Sequence, residues 1–426
     1  MKRPGTPAAA VGCGGGYSIA PWEIGLCGLL LFSFVLSVCQ QSNPLTAIFI
    51  DWKWYVFLTV TAFGFIQSYS LRGWFSDRVA ICFLLFVVSA TVSSVIAQGD
   101  IVEGLERSLS FWCLYLLATI FVIPHNPLRR IVVWTRAALL VCLVVMGISL
   151  VYGLSGSGFL AGRFVGFTAN ANTLGNIAAM SMAGSFGQWS VHRGKKNAAY
   201  WLAAALLMAP CLLMTQSRSA LAAGAAGILA VLAIKGKWLK TAVIIVGATL
   251  FLAALQESGM LSLGSISGRE IKVRSYTLSS RFDQWSAQFD AWKRKPLLGN
   301  GLQITGLQGS GRTGGESSYV DVLGAVGILG GLPLFLGLLW GTHALVRLGQ
   351  SLDERKNEGL FAGYYVSALG MVVAVLVHSI GEGFMAAVGA MQPIYVWIVL
   401  AAAGQAVRTL SMATTLEAKR NICSKF

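Results

Sequence analysis

Long apolar runs separated by short polar connections organise this chain. A helix that crosses a bilayer needs a predominantly apolar stretch of about 17–25 residues. Twelve stretches meet that pattern, near 22–40, 52–70, 79–98, 108–124, 133–153, 171–190, 198–216, 219–234, 238–256, 317–346, 360–382 and 386–407. The sixth opens on the polar sequence NANTLG, and the seventh and eighth are parted only by a tight polar turn. One connection, 257–316, is long. The pattern predicts an all-α polytopic membrane protein of about twelve transmembrane helices, with one large loop between helices 9 and 10. Its parts are a disordered tail (1–20), spans 1–9 (21–256), the loop with an interfacial helix (257–316), spans 10–12 (317–408) and a second tail (409–426).

Composition agrees. Hydrophobic residues make up 55% of the chain and charged residues only 12%, with mean hydropathy +0.68, whereas soluble domains carry about 25% charged residues. The formal net charge of +15 does not mark a nucleic-acid partner, because the basic residues are scattered among short loops without a basic stripe. Their placement gives orientation instead. With the N-terminus inside, twenty of the 32 basic residues fall in the two tails and the inward loops. The four short outward loops hold one each: Lys53, Arg107, Arg163 and Arg218. Both termini are therefore expected in the cytoplasm, and the apolar run after Lys2 and Arg3 reads as an uncleaved anchor. The eight cysteines lie in apolar segments or tails with no metal-ligand spacing, which suits small buried apolar residues.

Four polar clusters face outward on this topology. The first, GRFVGFTANANTLGN (162–176), carries Arg163, Asn170, Asn172 and Asn176. The second, TQSRS, puts Arg218 in the short turn between two apolar runs. In the third, SSRFDQWSAQFDAWKRKPLLGNG (279–301), Phe282, Trp285, Phe289 and Trp292 form one stripe beside Arg281, as in a helix lying in the membrane interface. The fourth, GGESSYVDVLGAVG (314–327), places Glu316 at the head of the tenth span and Asp321 about a turn deeper. His378 and Glu382 close the eleventh span on the same side.

Each group also has a plainer role open to it. Arginines at helix ends snorkel to lipid phosphates, and an aromatic stripe anchors a helix at the interface. Glu316 can cap its helix, Asp321 can hold a neighbouring arginine, and the asparagines can start a helix or bond between helices. His378 can be structural. Taken together, the outward groups suit a phosphate or diphosphate. Guanidiniums bind such groups bidentately, and neutralising a departing diphosphate needs no metal ion. A carboxylate in the same cavity can take a proton from an attacking hydroxyl.

In order and spacing, RFVGFTANANTLG, TQSRSALAAG, SSRFDQW…KPLLGNG and GGESSYVDVLGAVGILGG resemble the bacterial O-antigen ligase and polymerase family over about residues 160–335. That resemblance implies a GT-C-like helical fold with a large periplasmic loop in the inner membrane. It also implies inverting, metal-independent and cofactor-free transfer of glycan from undecaprenyl diphosphate. By position, Arg218 and Arg281 match the arginines that hold the donor diphosphate. Glu316 falls where ligases carry a histidine proposed as the base, a departure that makes the chain look more like polymerases of exopolysaccharide or O-antigen repeat units. Glu316, Arg218 and Arg281 are the expected catalytic residues. Arg163, Asn172, Asp321, His378 and Glu382 are the expected substrate-binding residues. Expected partners are the lipid-linked glycan donor and acceptor, membrane lipids and a possible chain-length regulator, with no nucleic acid. The alternatives are a ligase delivering glycan to a lipid A core or other acceptor, and a polysaccharide transporter or flippase.

Overall fold

The computed structural model describes residues 19–38, 49–68, 77–96, 101–120, 126–168, 170–236, 279–302, 317–353, 359–383 and 390–423. Among these residues the chain forms twelve α-helices and one two-stranded hairpin. The helices are α1 (Pro21–Val38), α2 (Phe49–Ser68), α3 (Arg78–Ile96), α4 (Ile101–Thr119), α5 (Pro127–Leu154), α6 (Ala171–Val191), α7 (Ala198–Thr215), α8 (Arg218–Ile234), α9 (Ser279–Arg294), α10 (Ser318–Asp353), α11 (Gly359–His378) and α12 (Met391–Cys423). Eleven coincide with an apolar span predicted from sequence, and α9 with the predicted interfacial helix. The ninth span (238–256), Glu316 and most of the long loop lie outside the described residues. Five helices are long and apolar enough to cross a membrane: α3, α5, α7, α10 over Ser318–Gln350 and α12 over Met391–Met412.

Local chemistry starts the helices where the sequence punctuates them. Asp77 Oδ1 accepts from Val79 N (2.8 Å) and Ala80 N (3.1 Å) ahead of α3. Asn126 caps α5 with Pro127 in its first turn, and Asn170 caps α6 by accepting from Asn172 N and Thr173 N. Asn170 thus has the helix-starting role.

Helix α6 is not among the five long apolar helices, and its position explains why. It packs against α5, α7, α8 and α11, so its buried Thr173, Asn176, Ser181, Ser185 and Gln188 face protein rather than lipid. Gln188 Nε2 donates to Ser367 Oγ (3.1 Å), which donates to Gly184 O (2.6 Å), the interhelical bonding expected of polar residues in a membrane bundle. Elsewhere the core is aromatic. Buried Trp397 of α12 stacks on Phe83 at 4.2 Å and touches Phe86 and Phe111, joining α3, α4 and α12.

Helix α5 begins at one end of the bundle and finishes beside the hairpin, β1 (Phe159–Leu160) and β2 (Arg163–Phe164). The strands turn through Ala161 (φ 51°) and Gly162 (φ 77°), both in the left-handed region that two-residue hairpins use. No strand was expected at 159–164, because the segment is too short for alternation to show. Two ends of the molecule follow: a hairpin end and an opposite end.

Two expectations change here. Residues 101–107 (IVEGLER), left in a connection by the predicted spans 79–98 and 108–124, are helical instead, since α4 starts at Ile101 and Glu103 pairs with Arg107 at 2.9 Å across one helical turn. The tenth span is not one straight helix. α10 breaks at Gly327 (φ 62°, ψ −164°), a conformation open only to glycine. In an unbroken helix the amides of Ile328 and Leu329 would bond to the carbonyls of Gly324 and Ala325. The 296–301 turn takes all four groups instead. Ile328 N donates to Pro296 O (2.9 Å), Leu329 N to Leu297 O (3.1 Å), Asn300 N to Gly324 O (3.0 Å) and Gly301 N to Ala325 O (2.8 Å). Backbones this close leave no room for a side chain. A Cβ on Gly299 would meet Gly327 N at 2.6 Å, and one on Gly327 would meet Gly299 N at 2.7 Å. PLLGNG is therefore a segment inserted into the hydrogen-bond ladder of α10, rather than a simple helix stop.

Candidate functional site

The hairpin end gathers most of the polar residues expected to carry chemistry. Arg163 projects from β2. Its Nε donates to the carbonyl of Thr215 (3.0 Å) and its Nη2 to Asn172 Oδ1 (2.8 Å). Thr215 is the last residue of α7, so the guanidinium meets a helix C-terminal carbonyl, where a cation is favoured. Asn172, in the first turn of α6, passes the connection on, its Nδ2 donating to Glu382 Oε1 at 2.6 Å. The backbone carbonyl of Glu382 accepts from both the amide (3.2 Å) and the Oγ (2.7 Å) of Ser318, the first residue of α10. Ser318 N is also 3.1 Å from Ser379 O. One relay thus joins the hairpin, the α7–α8 turn, the head of α6, the end of α11 and the start of α10.

Arg218 stands beside this relay. α7 ends at Gln216 in the left-handed conformation (φ 52°), extended Ser217 follows, and α8 begins at Arg218. Gln216 Nε2 reaches Gly162 O of the hairpin turn at 3.5 Å. A Cβ at Gly175 of α6 would lie 2.7 Å from Ala220 Cβ and 3.2 Å from Ser217 Cβ, so only glycine lets α8 start this close to α6. The turn is fixed, yet the Arg218 side chain is exposed, and among the described residues no hydrogen bond or ion pair holds it.

His378 lies deeper. It is fully buried, with Nδ1 3.3 Å from Asn176 Nδ2. Asp321, in the first turn of α10, accepts a hydrogen bond from Gln288 Nε2 of α9 and is not joined to Arg163, Asn172 or Glu382 by any bond among the described residues. Arg281 is the third residue of α9, which packs on α10. Glu316 lies outside the described residues, two positions before Ser318. The aromatic face of α9 is half-buried at Trp285 and Trp292, with Phe289 42% exposed. Among the described residues no group of three or more His, Cys, Asp or Glu is placed to hold a metal ion.

Sequence reading did not single out Thr215, Gln288, Asn300 or Ser318 for a role. Three of them are ordinary polar residues, Gln288 within α9, Asn300 in the turn after it and Ser318 at the head of α10. The fourth, Thr215, takes part through its backbone carbonyl, which no side-chain pattern marks.

Comparison with known families now adds to the geometry. Residues 203–335 match the family model described as O-antigen ligase. The match supports the O-antigen ligase/polymerase family. It runs from within α7, through Arg218, Arg281, Glu316 and Asp321, to just past the break in α10. Arg163, Asn172, His378 and Glu382 lie outside it, and the relay ties Arg163, Asn172 and Glu382 to it. No curated protein sequence matches the chain. The long apolar helices and this ligase-type segment together identify an integral membrane protein with a ligase- or polymerase-type, glycosyltransferase-like function. Lipid-linked glycans are the substrates that the O-antigen ligase family implies.

Proposed function

We propose that the chain polymerises undecaprenyl-diphosphate-linked oligosaccharide repeat units of an exopolysaccharide or O-antigen. In this reading twelve spans cross the bacterial inner membrane with both termini in the cytoplasm, and the hairpin end faces the periplasm. A hydroxyl at the non-reducing end of a fresh repeat unit attacks the anomeric carbon of the growing chain. Its proton goes to Glu316, the bond from that carbon to the diphosphate oxygen breaks, and the configuration inverts. Arg218 and Arg281 stabilise the departing diphosphate. Asp321 orients α9, while Glu382 and Asn172 hold Arg163 against the α7–α8 turn. His378 supports the site through Asn176.

The observation that carries the reading is the contrast within the hairpin end. A hydrogen-bonded relay fixes the turn that presents Arg218, and the Arg218 side chain itself is exposed. An anionic group meeting a guanidinium presented by such a fixed turn gains charge-assisted hydrogen bonds without reorganising the backbone.

The first test is the fate of the glycan in a strain lacking this chain, sized by gel and sorted by the lipid that carries it. Single repeat units left on undecaprenyl diphosphate, with no long polymer, are expected. A second reading is favoured by the description of the matching family, in which the chain is a ligase. Long polymer stranded on undecaprenyl diphosphate would establish that reading instead. Glycan transfer by purified protein in detergent, without a sealed membrane, separates either enzyme from a transporter.

A further inference from the structure

The insertion of the 296–301 turn into the ladder of α10 is made by backbone, but two side chains decide what rides on it. Asn300 Nδ2 donates to Gly324 O at the break (3.2 Å) and to Ala291 O in the last turn of α9 (3.1 Å). It is the described side chain that bonds to both helices. About one turn back along α9, Gln288 donates to Asp321 in the first turn of α10. The turn is itself anchored to the bundle. Ser93 Oγ donates to Ala325 O (2.8 Å) and accepts from Gly301 N (3.1 Å). Leu302 N donates to Ser94 Oγ (3.2 Å), and Arg107 Nη1 to Leu302 O (3.1 Å).

We propose that Asn300 and Gln288 are positioning residues that hold the amphipathic helix α9 against the outer segment of α10. They thereby set where the first turn of α9, which carries Arg281, stands relative to Ser318 at the head of α10. The physical case is one of lever arms. The outer segment of α10, Ser318–Val326, is cut off from the rest of its helix by the Gly327 break. It keeps a fixed direction because the turn supplies the hydrogen bonds the break removed. α9 has mostly polar composition apart from its aromatic stripe, so burial alone gives it little hold. Hydrogen bonds at its middle and its last turn leave the Arg281 end with one orientation. The catalytic consequence rests on the proposed glycan transfer, whereas the positioning itself does not.

The test uses the full chain in detergent. Backbone hydrogen exchange is followed over α9 and, as an internal reference, over α6 in wild type, N300A, N300Q and Q288L. The N300Q amide keeps a donor where alanine has none. In N300A and Q288L, exchange over α9 is expected to rise about tenfold while α6 is unchanged, as for local opening of one unit. N300Q is expected to recover at least half of the protection. Over the same variants, kcat for glycan transfer falls about tenfold with KM for the lipid-linked glycan held within about twofold, the pattern of a group displaced in the transition state alone. Unchanged exchange over α9 in both N300A and Q288L overturns the proposal. So does an equal rise over α6 in both, which would make the contacts general structural ones. Should α9 loosen as expected while even wild-type protein transfers no glycan, the positioning stands and the proposed reaction fails.

Discussion

Arg130 and Arg218 each sit in the first turn of a helix, α5 and α8, at opposite ends of the same bundle. Arg130 is 2% exposed and donates to Ala118 O at the end of α4 (3.2 Å) and to Gln405 Oε1 of α12 (3.1 Å). Asp77 lies against Gly404 next to that glutamine. Its neighbour Arg129 pairs with Glu23 at 2.6 Å, and Tyr365 closes over Leu128 O at 2.9 Å. At this end the cations are absorbed into helix ends and carboxylates. At the hairpin end one arginine, Arg163, is absorbed in the same way, and Arg218 is left exposed. A buried guanidinium must be fully satisfied by protein, so residue type and helix position do not reveal function. What distinguishes Arg218 is that hydrogen bonds fix the turn beneath it while, among the described residues, none holds its side chain.

That comparison breaks most decisively at Arg218. R218A is expected to lower glycan transfer about 10²–10³-fold, as for loss of one oxyanion donor, with expression and melting temperature unchanged. Wild-type rates in membranes containing the variant would remove Arg218 from the site. Next comes the relay. N172A and E382A should each lower transfer about tenfold, because the Thr215–Arg218 turn loses its brace, and the double variant should be no worse than the worse single. Additive losses in that cycle would mean that the two residues act separately.

The opposite end sharpens the contrast from the stability side. R130A should destabilise the protein by about 2–4 kcal/mol, since it strips a donor from two buried acceptors, yet leave the rate per folded molecule near wild type. A thermal melt beside a transfer assay on the same preparation checks both halves. The smallest effect is expected for E23Q. It keeps a hydrogen-bonding oxygen for Arg129 and removes only charge from a partly exposed pair, at about 0.5–1 kcal/mol, with no change in transfer.

Much of this was legible in the chain. Apolar run length placed the helices and Asn170 was legible as a helix start, because a membrane span and its cap are set by residues within a few positions of one another, whereas Asn126 and Asp77 were not singled out as caps. KPLLGNG and GAVGILGG were visible as glycine-rich stretches, but they read as a helix stop and an uninterrupted span. Nothing local says that the carbonyls of Gly324 and Ala325 accept from amides at Asn300 and Gly301. Residues 101–107 fell between two predicted spans because their charges weaken the apolar signal of two helical turns, in which Glu103 pairs with Arg107.

By itself, then, the sequence determined a helical membrane protein and a set of polar residues of the right chemistry for a diphosphate. Those are properties of composition and of neighbours along the chain. Only the tertiary structure decided which of those residues meet. It bound Arg163 to the Thr215 carbonyl, linked Asn172 to Glu382, seated Gln288 on Asp321 and left Arg218 exposed. Each of those pairings joins residues far apart in sequence, and their geometry comes from how the helices cross, which no local pattern encodes.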